Sequence, residues 1–118
     1  MYSKIYTCFL EGLQGYKVEV EADIARGLQA FNIVGLADVS IKEAKERVRS
    51  AITNSGFKFP VGRITINLAP ANLKKEGSQL DISIAISILT AYGTIIKEPK
   101  DNIAFIGELA LDGRLMSV

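Results

Sequence analysis

The sequence predicts an α/β sandwich of the two-layer α+β kind, with two main helices on one mixed sheet. Two segments, opening near Ser40 and Ser78, repeat apolar residues at helical spacing. Several others alternate apolar and polar residues over strand lengths, and the order β-β-β-α-β-α-β-β interleaves the two types.

Tyr2 to Leu10 mixes β-branched and aromatic residues and reads as the first strand. Gly12-Leu13-Gln14-Gly15 supplies a turn, and Tyr16 to Glu21 alternates as a half-buried strand. Ala30 to Val34 is a short apolar strand closed by Gly35. Ser40 suits a helix N-cap, with Glu43 completing a capping box. Ile41, Ala44, Val48, Ala51 and Ile52 then form one buried stripe, Glu43 and Arg47 are spaced for an exposed ion pair, and Gly56 suits the C-terminal cap. Arg63 to Leu68 is a strand ended by Ala69-Pro70, followed by a polar loop from Ala71 to Gly77. Ser78 with Asp81 repeats the capping spacing and opens a central helix to about Ala91. That helix leaves only Ser83, Ser87 and Thr90 as a polar strip. Ile103 to Leu111 reads as a last strand, and Asp112-Gly113 as a hairpin turn. The chain stops five residues after that turn, which suggests a segment of a longer protein.

The 118 residues fit one domain, 1–118, with 48% apolar and 23% charged residues in the globular range. Histidine is absent and Cys8 is the single cysteine. This excludes histidine-based nucleophile systems, His-liganded metals, internal disulfides and Cys-rich zinc sites. No metal site is expected. The start lacks the build of a signal peptide, and the apolar-rich run from Leu80 to Tyr92 is shorter than a membrane span. A cytoplasmic setting without a membrane partner follows.

Net charge is only +1, but it is unevenly spread: residues 1–39 carry −2, 40–63 carry +4 and 64–118 carry −1. Lys42, Lys45 and Arg49 share a helix face, with Lys58 and Arg63 flanking the next turn. Together they are the candidate DNA-binding residues, although a solvated helix face would account for the same pattern. Lys74, Lys75, Gly77 and Ser78 form a candidate anion site at the start of the central helix, without the glycine spacing of a phosphate loop. An ordinary capped helix start with solvated lysines is the alternative there. Ser78 with a nearby lysine is the sole nucleophile arrangement left to consider, and a polar loop offers nothing to lower a lysine pKa.

One continuous pattern is more specific. It runs Phe31-Asn32-Ile33-Val34-Gly35-Leu36, Val39-Ser40-Ile41-Lys42-Glu43, Arg47-Val48-Arg49-Ser50-Ala51-Ile52 and Asn54-Ser55-Gly56-Phe57-Lys58-Phe59-Pro60. It continues through Arg63 to Ala71, Lys75-Glu76-Gly77 to Asp81, and Ile106 to Gly113. This resembles the N-terminal domain of the magnesium-chelatase-like ComM/YifB family of AAA+ ATPases. The resemblance implies the fold of the second domain of ribosomal protein S five, shared with the Lon protease domain. It also implies an AAA+ motor after Val118, using ATP and magnesium and assembled as a homo-hexamer that moves branched or single-stranded DNA. The chelatase label reflects likeness to a motor subunit and implies no metal here.

Lon-type proteases carry Lys-Asp-Gly-Pro-Ser-Ala-Gly at the start of the central helix. This chain has Lys75-Glu76-Gly77-Ser78-Gln79-Leu80-Asp81, so Gln79 stands in the nucleophile slot and its amide cannot attack a carbonyl. No catalytic residue is therefore expected, and the chain reads as an accessory domain working beside its motor. The alternatives are a cryptic Ser-Lys peptidase using Ser78 or a pure oligomerisation module.

Overall fold

The structure, a computed structural model, describes residues 1–11, 14–71, 75, 77–97, 99 and 103–116, leaving aside the side chains of residues 10 and 11. Of the expected turn Gly12-Leu13-Gln14-Gly15, Gly12 and Leu13 lie outside the described residues, as do Lys74 and Glu76, while Gln14 and Gly15 belong to a strand instead.

Four strands form one mixed sheet: β1 (Tyr2–Glu11), β2 (Gln14–Ala25), β3 (Ala30–Val34) and β4 (Arg63–Ala69), in the order β1-β2-β4-β3. β1 and β4 each pair antiparallel with β2, while β3 and β4 run parallel. A parallel pair requires a crossover, which here consists of helices α1 (Val39–Lys42) and α2 (Ala44–Asn54). Helix α3 (Asp81–Tyr92) follows β4 and lies across β1 and β2.

Strict alternation decides which face is covered. Val18, Val20, Ala22 and Ile24 of β2, Ile64, Ile66 and Leu68 of β4, and Phe31 and Ile33 of β3 are all buried. They meet Ile41, Val48 and Ile52 from α1 and α2, and Ile84 and Ile88 from α3. This is the two-layer arrangement, helices on one face and a polar sheet face opposite.

On the polar face Glu21 ties three strands together. It accepts from the Tyr2 hydroxyl (2.5 Å) and from Asn67 Nδ2 (2.9 Å). Those bonds hold its carboxyl below the ordinary 4.5, the Tyr2 bond contributing most. A carboxyl depressed by folding adds stability that is complete above its unfolded pKa and lost as pH falls through its folded value. Glu21→Gln should therefore lower stability at neutral pH and flatten the acid limb of a stability-against-pH curve, the gap to wild type closing as pH falls, as read by urea denaturation. An acid limb identical to wild type would refute this role.

Several local expectations are corrected. Strand β2 continues past Glu21 to Ala25, because its alternation persists and strands flank it on both sides. Asp38, not Ser40, caps the first helix: its carboxylate accepts from Ile41 N at 3.0 Å and from the Ser40 hydroxyl at 2.7 Å. The expected single helix is split at Glu43, which closes α1 and precedes α2. Ser78 does not cap α3 through its side chain; Leu80 occupies that position. The central helix is buried as its narrow polar strip implies, Ser83 and Ser87 included, each hydroxyl returning to the carbonyl three residues earlier. Ser3 of β1 donates to Ser87 O at 2.6 Å, so the small polar strip is where helix and sheet approach.

The last expected strand, Ile103 to Leu111, is also corrected. Among its described residues only single bridges form, Tyr6 to Ala104 and Leu109 to Leu115. The Asp112-Gly113 turn does reverse the chain: Ala110 N bonds Arg114 O (2.9 Å) and Met116 N bonds Glu108 O (2.8 Å).

Candidate functional site

Two places collect the residues singled out from the sequence. The first is the mouth of α3. Lys75 is fully buried, and its backbone bridges Ala37 through Lys75 N to Leu36 O and Asp38 N to Lys75 O, both 3.0 Å. Its Nζ donates to Gly35 O (2.7 Å), Leu68 O (3.2 Å) and Pro70 O. Desolvation lowers its pKa. The solvated loop lysine expected from sequence is thus corrected: the ammonium closes the ends of β3 and β4. Gly35 makes this approach possible, since a Cβ there would stand 2.1 Å from Leu68 O and its φ is +106°.

Ser78 donates its hydroxyl to Glu108 Oε1, and Gly77 N donates to the Ser40 hydroxyl at 2.9 Å. Gln79 is exposed, and its carbonyl accepts from Gly107 N at 2.7 Å. The structure therefore does not bring Ser78 and Lys75 together as a nucleophile and its base. Their polar atoms are committed to different partners.

Beside them lies a pair that sequence spacing missed. Arg47 Nε and Nη2 grip Asp81 Oδ2 and Oδ1 at 2.7 and 3.1 Å, and Nη2 also reaches Ser40 O at 3.2 Å. Asp81 is wholly buried and also accepts from Leu109 N at 3.1 Å. The bond to Asp81 raises the Arg47 pKa further. The exposed Glu43–Arg47 ion pair expected from their spacing is replaced by this inward contact across 34 residues of sequence. The signal was present as a charged first-turn residue on an otherwise apolar helix, but nothing local named its partner.

The second place is the basic arc. Lys42 is exposed on α1; Lys45 and Arg49 are half-buried on α2. Arg49 lies over the Phe59 ring, 5.4 Å from its centroid, and 4.0 Å from Glu46 Oε1. Phe59 in turn packs on Phe31 at 5.7 Å. Lys58 and Arg63 are exposed at the end of the sheet where β3 and β4 begin. The arc therefore runs along the helices to the strand-start end. Arg26, exposed in the β2–β3 loop, joins it there and was overlooked because its own sequence third is net acidic. Among the described residues no group of three or more Cys, Asp or Glu side chains is placed to hold a metal ion. No described helix is long and apolar enough to cross a membrane.

Comparison with known proteins places this architecture. Residues 20–118 match the family described as subunit ChlI of Mg-chelatase. The chain belongs to the ChlI family. It is 44% identical over 116 residues to the uncharacterized protein YifB of Escherichia coli K12, covering 98% of this chain and 23% of that protein. It is 43% identical over 114 residues to the competence protein ComM of Haemophilus influenzae, covering 97% and 22%. YifB of Salmonella typhimurium is 42% identical over 114 residues, covering 97% and 22%. The resemblance to the N-terminal domain of the ComM/YifB group is thereby confirmed. The chain spans about a quarter of the length of these relatives.

Proposed function

We propose that this ChlI-like domain is a non-catalytic accessory part of a cytoplasmic AAA+ ATPase that handles branched or single-stranded DNA. The observation that carries the reading is the basic arc of exposed Lys42, Lys58 and Arg63 with half-buried Lys45 and Arg49, the last seated on Phe59. Such an arc neutralises backbone phosphates without reading sequence. The likeness to a relative named competence protein ComM is the reason for taking DNA as that polyanion. ATP and magnesium would belong to a motor domain outside this chain, and a homo-hexamer would present several arcs to one DNA.

The test is a salt series. Lys42→Ala, Lys45→Ala and Arg49→Ala together should weaken branched-DNA binding and lower the log–log salt slope by about 2 to 3, one counterion per lost phosphate contact. Unchanged affinity at every salt concentration removes the basic arc from DNA binding. The peptidase alternative predicts that a serine-reactive probe labels Ser78 and that Ser78→Ala abolishes the label. Because the Ser78 hydroxyl is bonded to a carboxylate and Lys75 Nζ to three carbonyls, no labelling is expected.

A further inference from the structure

The strand-start end of the sheet carries a feature that the basic arc does not explain. The β2–β3 loop, residues 26–29, and the segment entering β4, residues 57–62, are bound to each other. Ala30 N donates to Gly62 O at 3.1 Å, and Gly62 N donates to Gln29 Oε1 at 3.2 Å. A Cβ on Gly62 would meet Ala25 O at 2.4 Å, and one on Gly27 would meet Arg63 Cδ at 3.0 Å, so the two segments are in close contact. Each nonetheless holds one aliphatic side chain out: Leu28 is 89% exposed and Val61 75% exposed. Around these two stand exposed Arg26, Lys58 and Arg63, and residues 24–37 and 47–75 contain no acidic side chain.

We infer that this paired tip is a wedge for DNA, with Leu28 and Val61 entering a base step while Arg26, Lys58 and Arg63 hold the flanking phosphates. The inference rests on the DNA reading above and specifies the DNA. Inserted aliphatic side chains unstack a base step, and the cations beside them hold the backbone that the insertion displaces. Unstacking costs least where stacking is already interrupted. The preferred target is therefore a junction between single and double strand, not uninterrupted duplex. Charge complementarity favours this occupant. A lipid surface fits less well, because two aliphatic side chains bury much less than one acyl chain, which itself anchors only marginally.

The experiment compares the intact protein with Leu28→Ala/Val61→Ala, which removes both wedge residues and no charge. Both residues are exposed, so the thermal midpoint should match wild type. Affinities for a forked DNA and for linear duplex of the same length are measured across salt, with 2-aminopurine at the fork. Wild type should prefer the fork by about tenfold and brighten the 2-aminopurine. The double variant should lose both properties while keeping duplex affinity and salt slope. In contrast, Arg26→Ala/Arg63→Ala should weaken both DNAs in parallel and lower the slope by about 2. Unchanged fork preference in Leu28→Ala/Val61→Ala overturns the wedge and leaves the DNA reading standing. Wild type that binds neither DNA overturns both. Binding to phosphatidylserine vesicles that is lost in the aliphatic variant, with fork affinity intact, assigns the tip to membranes and also overturns the wedge.

Discussion

Replacing Arg47 by Ala should cost the domain roughly 3–5 kcal/mol, read as a lower urea midpoint at unchanged slope. The magnitude follows from where the two charges sit. Asp81 has no exposed surface and its partner holds both carboxylate oxygens, whereas the Arg47 side chain keeps 23% of its own. Removing the guanidinium strands a carboxylate in the core with Leu109 N as its remaining donor among the described residues. Removing the carboxylate leaves an arginine that still reaches water. Asp81→Asn should therefore be milder than Arg47→Ala, by about 1–2 kcal/mol, since an amide retains an acceptor and sheds the charge. Equal losses in the two variants would mean that the geometry of the pair, not the stranded charge, sets the cost.

Lys75→Met should be the next most damaging change, at about 3 kcal/mol or more. Methionine fills a similar volume but donates nothing, so the carbonyls of Gly35, Leu68 and Pro70 lose the ammonium together. Each buried acceptor left unpaired costs about 1–3 kcal/mol, partly recovered if water enters. The exposed Lys42→Ala is the control, expected within about 0.5 kcal/mol of wild type. Thermal or urea unfolding of the pair checks the difference. A Lys75→Met protein as stable as Lys42→Ala would show that the three carbonyls find other donors at no cost.

What the sequence made legible was whatever depends on neighbours in the chain. β3 over Ala30–Val34 follows from a short apolar run closed by Gly35, and the start of β4 at Arg63 from alternation. The stripe of Ile41, Ala44, Val48, Ala51 and Ile52 lands in the core as its spacing requires. The misses share a different origin. Arg47 found Asp81, and Lys75 found the ends of two strands, through contacts that no local pattern encodes. A lysine among polar residues looks solvated until the fold delivers three carbonyls to it. The polar strip of Ser83 and Ser87 was visible, but not that it lies against β1, where Ser3 donates to Ser87 O. At the candidate interface the same division holds. Lys42, Lys45 and Arg49 were visible as a helical series, but Arg26 joined them only once β2 and β4 had paired.

The two isolated bridges at the margins of the sheet have a consequence for self-association. Tyr6 meets Ala104 midway along β1, where Phe105 N occupies Tyr6 O at 2.9 Å, and Ala37 meets Lys75 just beyond β3. β1 is therefore met by a foreign segment at one point along its edge, and the chain leaving β3 is met by another just past the strand. An incoming extended peptide cannot zip along β1 past Tyr6 without first displacing residues 104–105, nor extend beyond β3 without displacing Lys75. On the β1 side, the backbone carbonyl of Tyr6 is thereby already spoken for.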